Sequence, residues 1–544
     1  MTSYKSALQV EQRSIDFIPE DERHGRPSGL FAIWFAANMQ VTTAVTGALG
    51  VVLGLPLPWA LLALVIGNLF GAIFMALHSA QGPKLGIPQM IQSRAQFGFY
   101  GAILPLLLVV VMYVGFFATS GVLGGQALAG AAGWNTDLSI VLVAAACTVL
   151  AVFGYRLIHA ANRWISLVSA LGFAYLLVRL VQNNHVGAVW HGGPVSAGTF
   201  LLVVAIAATW QITYAPYVAD YSRYLPARTR IAPTFWYTYA GVVIAGIWMM
   251  LLGAVLQQRY PNLGVVAQIQ HVAGAWGQPF RMVVLLLIAL GIVGINGLNI
   301  YGAFMSSLTI VTSYVRHWRP TLALRVWFIL PIAVLGTYGA FLEKDSYLNS
   351  YQDFLSFLLY FLVPWTAVNL ADFYLVRHGR YDVADMFTPR GRYGRINKAG
   401  MTAYLIGCLV QIPFANVPFY EGPLAEALGG SDISWIVGIL LSGACYLALV
   451  RFWRPASSAD QLDPATAAQI QTATHTVPSG MTEAPAAALP ATADLRRSEP
   501  ADRRVRVRLS TGLRLVGPSG NGPAATRAEI ILGPGRPPPP WARR

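Results

Sequence analysis

Polar side chains interrupt the middle of one long apolar stretch near the start of the chain. Residues 31–54, FAIWFAANMQVTTAVTGALGVVLG, are long enough and free enough of charge to cross a bilayer. A polar group that faces hydrocarbon without a partner costs roughly several kcal/mol. The polar residues at the centre must therefore face other helices or a hydrated cavity. They are Asn38, Gln40, Thr42, Thr43 and Thr46.

Two interpretations of this stretch remain open. A membrane helix that is interrupted near its midpoint presents free main-chain groups beside its amides, as in the substrate sites of many secondary transporters. We expect the interruption at Gly47, and a second one at Pro216 in a later span. The alternative is an unbroken packing helix, whose small residues let neighbouring helices approach closely.

The composition places the chain in a membrane. Hydrophobic residues make up 55% of the 544 residues and charged residues only 11%, whereas soluble domains contain about 25% charged residues. The net charge of +14 comes from basic residues in short connections and a tail, which argues against a nucleic-acid partner. The three cysteines lie within apolar stretches, so no disulfide framework is expected.

The apolar stretches predict an all-α integral membrane protein with twelve transmembrane helices. A cytoplasmic N-terminal arm (1–28) precedes a transporter domain (29–453), and a tail (454–544) rich in Ala, Pro and Arg is expected to be disordered. The predicted spans are 31–54, 57–77, 102–129, 138–155, 164–182, 198–219, 234–256, 280–314, 322–342, 354–376, 400–420 and 433–452.

The basic residues predict the orientation of these spans. With the N-terminus inside, the inner connections hold sixteen Lys and Arg residues, against four in the outer connections and span ends nearby. Because Lys and Arg collect on the cytoplasmic side, both termini are expected to be cytoplasmic. The expected location is the plasma (inner) membrane, which the protein crosses many times.

Three motifs in the predicted inner connections carry a family resemblance. They are GPKLGIPQMIQSRAQFGFYG at 82–101, YAPYVADYSRYLP at 214–226 and ADFYLVRHGRYDVADMF at 371–387. Together they resemble the nucleobase–cation symporter-1 family, in its purine–cytosine permease branch, over residues 25–453. The resemblance implies cation-coupled uptake of a nucleobase, cytosine or a purine, through alternating access.

The resemblance also implies the architecture. It is a LeuT-type inverted repeat of five plus five helices, in which helices 1 and 6 are discontinuous and two helices follow at the C-terminal end. The repeats would cover about 31–182 and 198–376, and the extra helices about 400–452.

A nucleobase is a flat, neutral ring edged with hydrogen-bond donors and acceptors, so its site needs aromatic faces and amides. Asn38 and Gln40 of span 1 meet this need, and residues of spans 3, 6 and 8 match the family's site. Each of them could instead pack in the core or at a helix seam. The candidate substrate-binding residues are Asn38, Gln40, Phe116, Ser120, Trp210, Tyr214, Asn296 and Asn299.

Some of these candidates depart from the family pattern. Ser120 stands where many members carry Asn, while Phe116 and Tyr214 stand where Trp is frequent. These departures keep open the same transport mechanism for another small heterocycle: allantoin, hydantoin, or a thiamine- or pyridoxine-like vitamin.

Charged residues near the inner helix ends suggest gates or anchors. We expect Asp220 to act with Arg223 and Asp372 with Arg377, as gate ion pairs or loop anchors. The sequence contains no HExxH motif and no histidine cluster with metal-ligand spacing, so neither an enzyme, a metal site nor a cofactor is expected.

The coupling cation is either H⁺ or Na⁺. By the resemblance, sodium would need carbonyl groups of span 1 and hydroxyl groups of span 8, because hard cations prefer oxygen ligands. Residues 291–295 of span 8, GIVGI, offer no hydroxyl group. The sequence therefore favours proton coupling.

Overall fold

Helices account for nearly all regular structure in the part of the chain that can be described. The structure, a computed structural model, describes residues 15–153, 155–182, 190, 192–315, 321–417 and 420–453, without the side chains of 153–166 and 181. The expected tail (454–544) lies outside these residues. The helices are α1 (Ser28–Asn38), α2 (Val41–Val52), α3 (Leu57–Ser79), α4 (Gly82–Leu85), α5 (Gln89–Phe97), α6 (Ile103–Ala132), α7 (Thr136–Phe153), α8 (Tyr155–Gln182), α9 (Ala197–Ile212), α10 (Val218–Ser222), α11 (Ile231–Arg259), α12 (Val265–Gly274), α13 (Gln278–Thr312), α14 (Leu322–Glu343), α15 (Tyr347–Leu370), α16 (Lys398–Gln411), α17 (Pro423–Ala427) and α18 (Ser434–Phe452).

Many of these helices are long and apolar enough to cross a membrane. Within the described residues, eight helices meet this condition alone, and the bent pair α1 and α2 forms a ninth. Helices also occupy the positions of the predicted spans 4, 5 and 11, namely α7, α8 and α16. Each predicted span thus coincides with a helix, and several apolar helices indicate a multi-pass membrane protein.

The first span breaks earlier than the sequence suggested. The axes of α1 and α2 differ by 61°, and the break falls between Asn38 and Val41. Gly47 lies inside α2, so its prediction as the break was wrong. A Cβ atom on Gly47 would overlap the main-chain oxygen of Met250. This glycine therefore serves close packing of α2 against α11.

The sixth span contains a change of helix type. Regular helix ends at Ile212, and a 3₁₀ turn formed by Ala215–Tyr217 leads into the short helix α10. Pro216 lies in this turn, where its missing N–H leaves no hydrogen bond unmade.

The three predicted inner connections that carry family motifs meet at one end of the molecule, which we call the basic end. The Phe99 N–H donates to Gly394 O over 2.9 Å, and Lys84 Nζ donates to Ala227 O over 3.4 Å. The N-terminal arm lies here too, since the Ile18 N–H donates to Gly86 O over 2.9 Å. All three predicted inner connections with family motifs are therefore brought together.

Some elements were not expected from the sequence. The short helices α4, α5, α12 and α17 lie in predicted connections, and span 11 ends as α16 at Gln411 instead of near 420. Asn416–Val417 and Tyr420–Glu421 then pair as a short antiparallel hairpin. These elements have few residues, so no apolar period of useful length marks them in the sequence.

The contact at Gly47 can be tested by adding a single methyl group. Gly47→Ala should lower the melting temperature of the purified protein, because α2 must move away from α11 at a cost of about 1–3 kcal/mol. Gly443→Ala is the matched control, since a Cβ atom there meets no atom within 4 Å. Equal melting temperatures for both variants would contradict the packing role.

Candidate functional site

A cavity of about 720 Å³ extends from the break in the first span toward the basic end. Residues of α1, α10 and α13 contribute to its wall, with others from α6 and α8. Gln40 and Asn299 line it near the break, while Asp220 and Arg223 line it at the basic end. The cavity therefore joins the interrupted helix to one face of the protein.

Aromatic rings form much of the cavity wall. Trp34 is 1% exposed, and its ring meets Tyr214 edge-on at 5.8 Å and Tyr221 at 5.1 Å between centroids. Tyr217 lies beside Tyr214 at 5.8 Å. Sequence reasoning missed Trp34, although it precedes the candidate Asn38 by one helical turn. The spacing of the three tyrosines (i, i+3, i+7) also indicated a shared helical face.

The amide of Gln40 has a fixed orientation at the break. Its Nε2 donates to the main-chain oxygen of Ala37 over 2.8 Å, an oxygen near the end of α1. Its Oε1 is buried and accepts no hydrogen bond from the described residues. Reversing the amide would set two oxygens against each other at Ala37, so the oxygen of Gln40 is an acceptor that has no partner among the described residues.

Asn299 is oriented in the same sense by a second amide. Asn296 donates from Nδ2 to Phe117 O over 2.9 Å, and its Oδ1 accepts from Nδ2 of Asn299 over 3.0 Å. Asn299 lines the cavity, whereas Asn296 is fully buried and does not. Asn296 therefore lies behind the wall, where it directs the amide of Asn299.

Asn38 and Trp210 connect the two interrupted spans. The Trp210 indole donates to Asn38 Oδ1 over 2.8 Å, while Asn38 Nδ2 donates to Trp34 O over 3.3 Å. Both candidate side chains are at most 2% exposed, and neither lines the cavity. Their geometry joins α1 to α9 just behind the aromatic wall.

Phe116 and Ser120 lie on the side of the break away from the basic end. Phe116 packs edge-on against Phe354 of α15 at 5.1 Å, and Ser120 Oγ lies 3.2 Å from Thr42 Oγ1. Neither residue lines the cavity. Of the eight candidates, three line it: Gln40, Tyr214 and Asn299.

The two expected charge pairs differ in geometry. Arg223 donates from Nε to the main-chain oxygen of Asp220 over 3.2 Å, and the Asp220 carboxylate accepts the N–H of Gln89 over 2.7 Å. Asp372 is fully buried and forms an ion pair with Arg377 at 3.0 Å. The first pair lines the cavity and the second does not.

Asp372 is the centre of a larger buried cluster. Its carboxylate also accepts from Tyr446 over 2.6 Å, from Tyr381 over 2.8 Å and from Gln96 over 2.8 Å. Burial, followed by the negative charge of Asp372, raises the pKa of Tyr381 well above its usual value. The hydroxyl of Tyr381 therefore remains a donor, and the cluster fixes the inner end of α15 to its neighbours.

Comparison with known proteins identifies close relatives of the sequence. Residues 17–438 match the family of permeases for cytosine/purines, uracil, thiamine and allantoin. YxlA of Bacillus subtilis, named as a purine-cytosine permease, is 44% identical over 446 residues, which are 82% of this chain and 96% of that protein. The purine-cytosine permease fcyB of Emericella nidulans is 24% identical over 82% of this chain and 89% of its own length.

Solved structures share the fold. Mhp1 in its inward-facing conformation superposes with a TM-score of 0.68, at 19% identity, over 85% of this chain and 98% of its own. Mhp1 in a closed conformation with bromovinylhydantoin bound, described as a nucleobase-cation-symport-1 family transporter, gives a TM-score of 0.66 at 18% identity, over 85% of this chain and 99% of its own. This likeness shows that the chain shares the fold of Mhp1.

The buried ion pair at Asp372 can be tested by removing its charge. Asp372→Asn leaves the Arg377 cation buried without its partner, so we expect a loss of about 3–5 kcal/mol of stability. The measurement is the melting temperature and folded yield in detergent. Asp137→Asn is the control, because its ion pair with Lys344 is partly exposed and should contribute little to stability. Similar small losses in both variants would refute the central role of Asp372.

Proposed function

The chain belongs to the nucleobase–cation symporter-1 family, in its purine–cytosine permease branch, and we propose that it imports cytosine or a purine by cation-coupled symport. The family consists of permeases, so the chain is a membrane transporter and not an enzyme. Alternating access would expose the cavity first to one side of the membrane and then to the other. The observation that carries the substrate proposal is the cavity at the helix break, lined by rings and two oriented amides.

We propose that the architecture has twelve transmembrane helices, the first ten forming the inverted repeat, with discontinuous helices 1 and 6. The 61° bend after α1 and the 3₁₀ turn after α9 support this arrangement. The basic end would face the cytoplasm, since Lys and Arg collect there. Both termini would then be cytoplasmic, in the plasma membrane.

The character of the cavity suits a neutral flat ring. Among the described residues that line it, Asp220 and Arg223 are the charged ones, and both lie at the basic end. Near the break the wall offers rings, such as that of Tyr214, and uncharged amides. Ring stacking contributes about 0.5–1.5 kcal/mol per pair beyond burial, and no charge on the substrate is needed.

The orientation of the amides defines what the substrate must supply. Gln40 and Asn299 each use one N–H of the side-chain amide on Ala37 and Asn296, so each keeps its oxygen and a second N–H. A ring that presents N–H or amino donors would satisfy these oxygens. Cytosine and the purines have such donors, and so do allantoin and hydantoin, which remain alternative substrates together with a thiamine- or pyridoxine-like vitamin.

The coupling cation that we propose is the proton. In α13, Gly291 and Ile295 line the cavity just before Asn296, in the place where a sodium site would need hydroxyl ligands. The hydroxyl of Thr309 is farther along the helix and already donates to Met305 O over 2.8 Å. Sodium would thus find too few side-chain oxygens here.

The substrate site can be tested by uptake in a transport-deficient host. Gln40→Leu and Asn299→Leu each remove one acceptor, so the apparent affinity for the transported base should fall roughly ten- to hundredfold. Labelled cytosine, adenine, hypoxanthine, uracil, allantoin, hydantoin, thiamine and pyridoxine should be compared side by side, with competition by unlabelled compounds.

The matched control is Gln126→Leu, which removes an amide of α6 that does not line the cavity. Its uptake should equal that of the unaltered protein when expression is equal. Unchanged affinity in both Gln40→Leu and Asn299→Leu would overturn the site assignment. Uptake of allantoin or a vitamin, without uptake of any base, would replace the nucleobase proposal by its alternative.

Proton coupling can be tested in proteoliposomes with imposed gradients. We expect accumulation to follow an inward proton gradient, to persist when choline replaces sodium, and to vanish with a protonophore. Empty liposomes measure passive entry of the base. Strict dependence on a sodium gradient, without a response to the pH difference, would overturn proton coupling and leave the substrate site untouched.

A further inference from the structure

A second cavity, of about 640 Å³, lies at the basic end, and its lining shares no residue with the first. Its wall combines Lys84 of α4, Ile231 at the start of α11, and a segment that follows α15. That segment contributes Tyr374, His378 and Arg380. The transport mechanism described above makes no use of this cavity.

Three basic side chains surround the cavity without a carboxylate. Within the described part of the chain, neither Lys84 nor Arg380 nor His378 forms an ion pair. Glu20 pairs with Arg23 at 3.5 Å and accepts the N–H of Ala227, the residue whose carbonyl Lys84 contacts, and Asp382 pairs with Arg392 at 2.9 Å. Positive charge of this kind, around a concave surface, attracts an anion.

The backbone positions His378 for such a role. His378 has a φ of +51°, a left-handed backbone conformation that residues other than glycine rarely adopt. Its Nδ1 lies 2.9 Å from the main-chain oxygen of Tyr374, which accepts only, so Nδ1 carries the proton and donates. Nε2 is left for a ligand. The strained turn therefore holds the imidazole at the cavity.

Apolar surface adjoins the charged wall. Ile231 is 39% exposed, Leu375 is 60% exposed, and Trp236 on the next turns of α11 is 61% exposed. Because α11 and the span Tyr347–Val376 are long and apolar enough to cross a membrane, we expect side chains at their basic ends to lie where the headgroup region gives way to the acyl chains. Exposed Trp beside Lys and Arg is typical of that interface.

We propose that this cavity binds the phosphate group of an anionic membrane lipid, with its acyl chains along the exposed faces of α11 and α15. Lys84 and Arg380 neutralise the phosphate, and the imidazole of His378 lies beside it. The volume accommodates a phosphoglycerol headgroup. The bound lipid bridges the α4 segment, the start of α11 and the end of α15.

The test uses the purified full-length protein in nanodiscs of phosphatidylcholine, with or without phosphatidylglycerol. Phosphatidylglycerol should raise the melting temperature, since a ligand of the folded state stabilises it. The double variant Lys84→Gln/Arg380→Gln should lose this response, with an apparent affinity for phosphatidylglycerol reduced roughly tenfold or more. Native mass spectrometry should show fewer retained phosphatidylglycerol molecules in the double variant.

The control variant is Arg395→Gln/Lys398→Gln, which removes equal charge from the same end outside the cavity lining. It should keep both the thermal response and the retained lipid. An equal loss in the control would mean general attraction to an anionic surface, and this would overturn the site. Protection by inorganic phosphate as strong as that by phosphatidylglycerol would overturn the lipid as its source.

If the double variant does not fold, His378→Gln serves in its place, with retained lipid as the readout. Retention equal to that of the unaltered protein would then refute the proposal.

Discussion

The structure depends on how main-chain groups freed inside an apolar environment find partners. The break after Asn38 ends the regular hydrogen bonding of α1 in the middle of a span, where lipid offers no replacement. The amide of Gln40 takes over part of this role by donating to Ala37 O, and the amide of Asn38 adds a second donor to Trp34 O. The break therefore requires polar residues, which a helix that faces lipid would exclude.

This requirement also determines the chemistry left for a ligand. Each amide near the cavity donates one N–H to an oxygen of the protein, because an unmet oxygen or N–H group in a dry interior costs about 1–3 kcal/mol. Gln40 and Asn299 keep their oxygens and a second N–H for a ligand. Recognition of a ring that carries donors thus follows from the need to give protein carbonyl groups hydrogen-bond partners. The same hydrogen bonds hold the amides in position before a ligand enters.

The sequence was informative where one residue type has few physical options. Amides within an apolar span had to face protein or water, which correctly drew attention to Asn38 and Gln40. Asp372 and Arg377, five residues apart at a helix end, could be expected to pair. The depth of each side chain in the wall could not be read in this way, because it depends on helix rotation. Asn296 and Phe116, both expected at the site, do not line the cavity, and Gly47, expected as a break, lies inside α2 and serves helix packing.

The short helix α5 connects Asp220, at the basic end of the first cavity, with the buried carboxylate of Asp372, just after α15. At its start, the Gln89 N–H donates to Asp220, and the Gln89 side chain donates to Gln81 over 3.2 Å. At its end, Gln96 donates to Asp372 over 2.8 Å. These amides are buried, so separating any pair leaves an unmet polar group. A movement of Asp220 must therefore either break its hydrogen bond to Gln89 or displace α5 together with the inner end of α15. Because the joint movement keeps these hydrogen bonds, the network favours it.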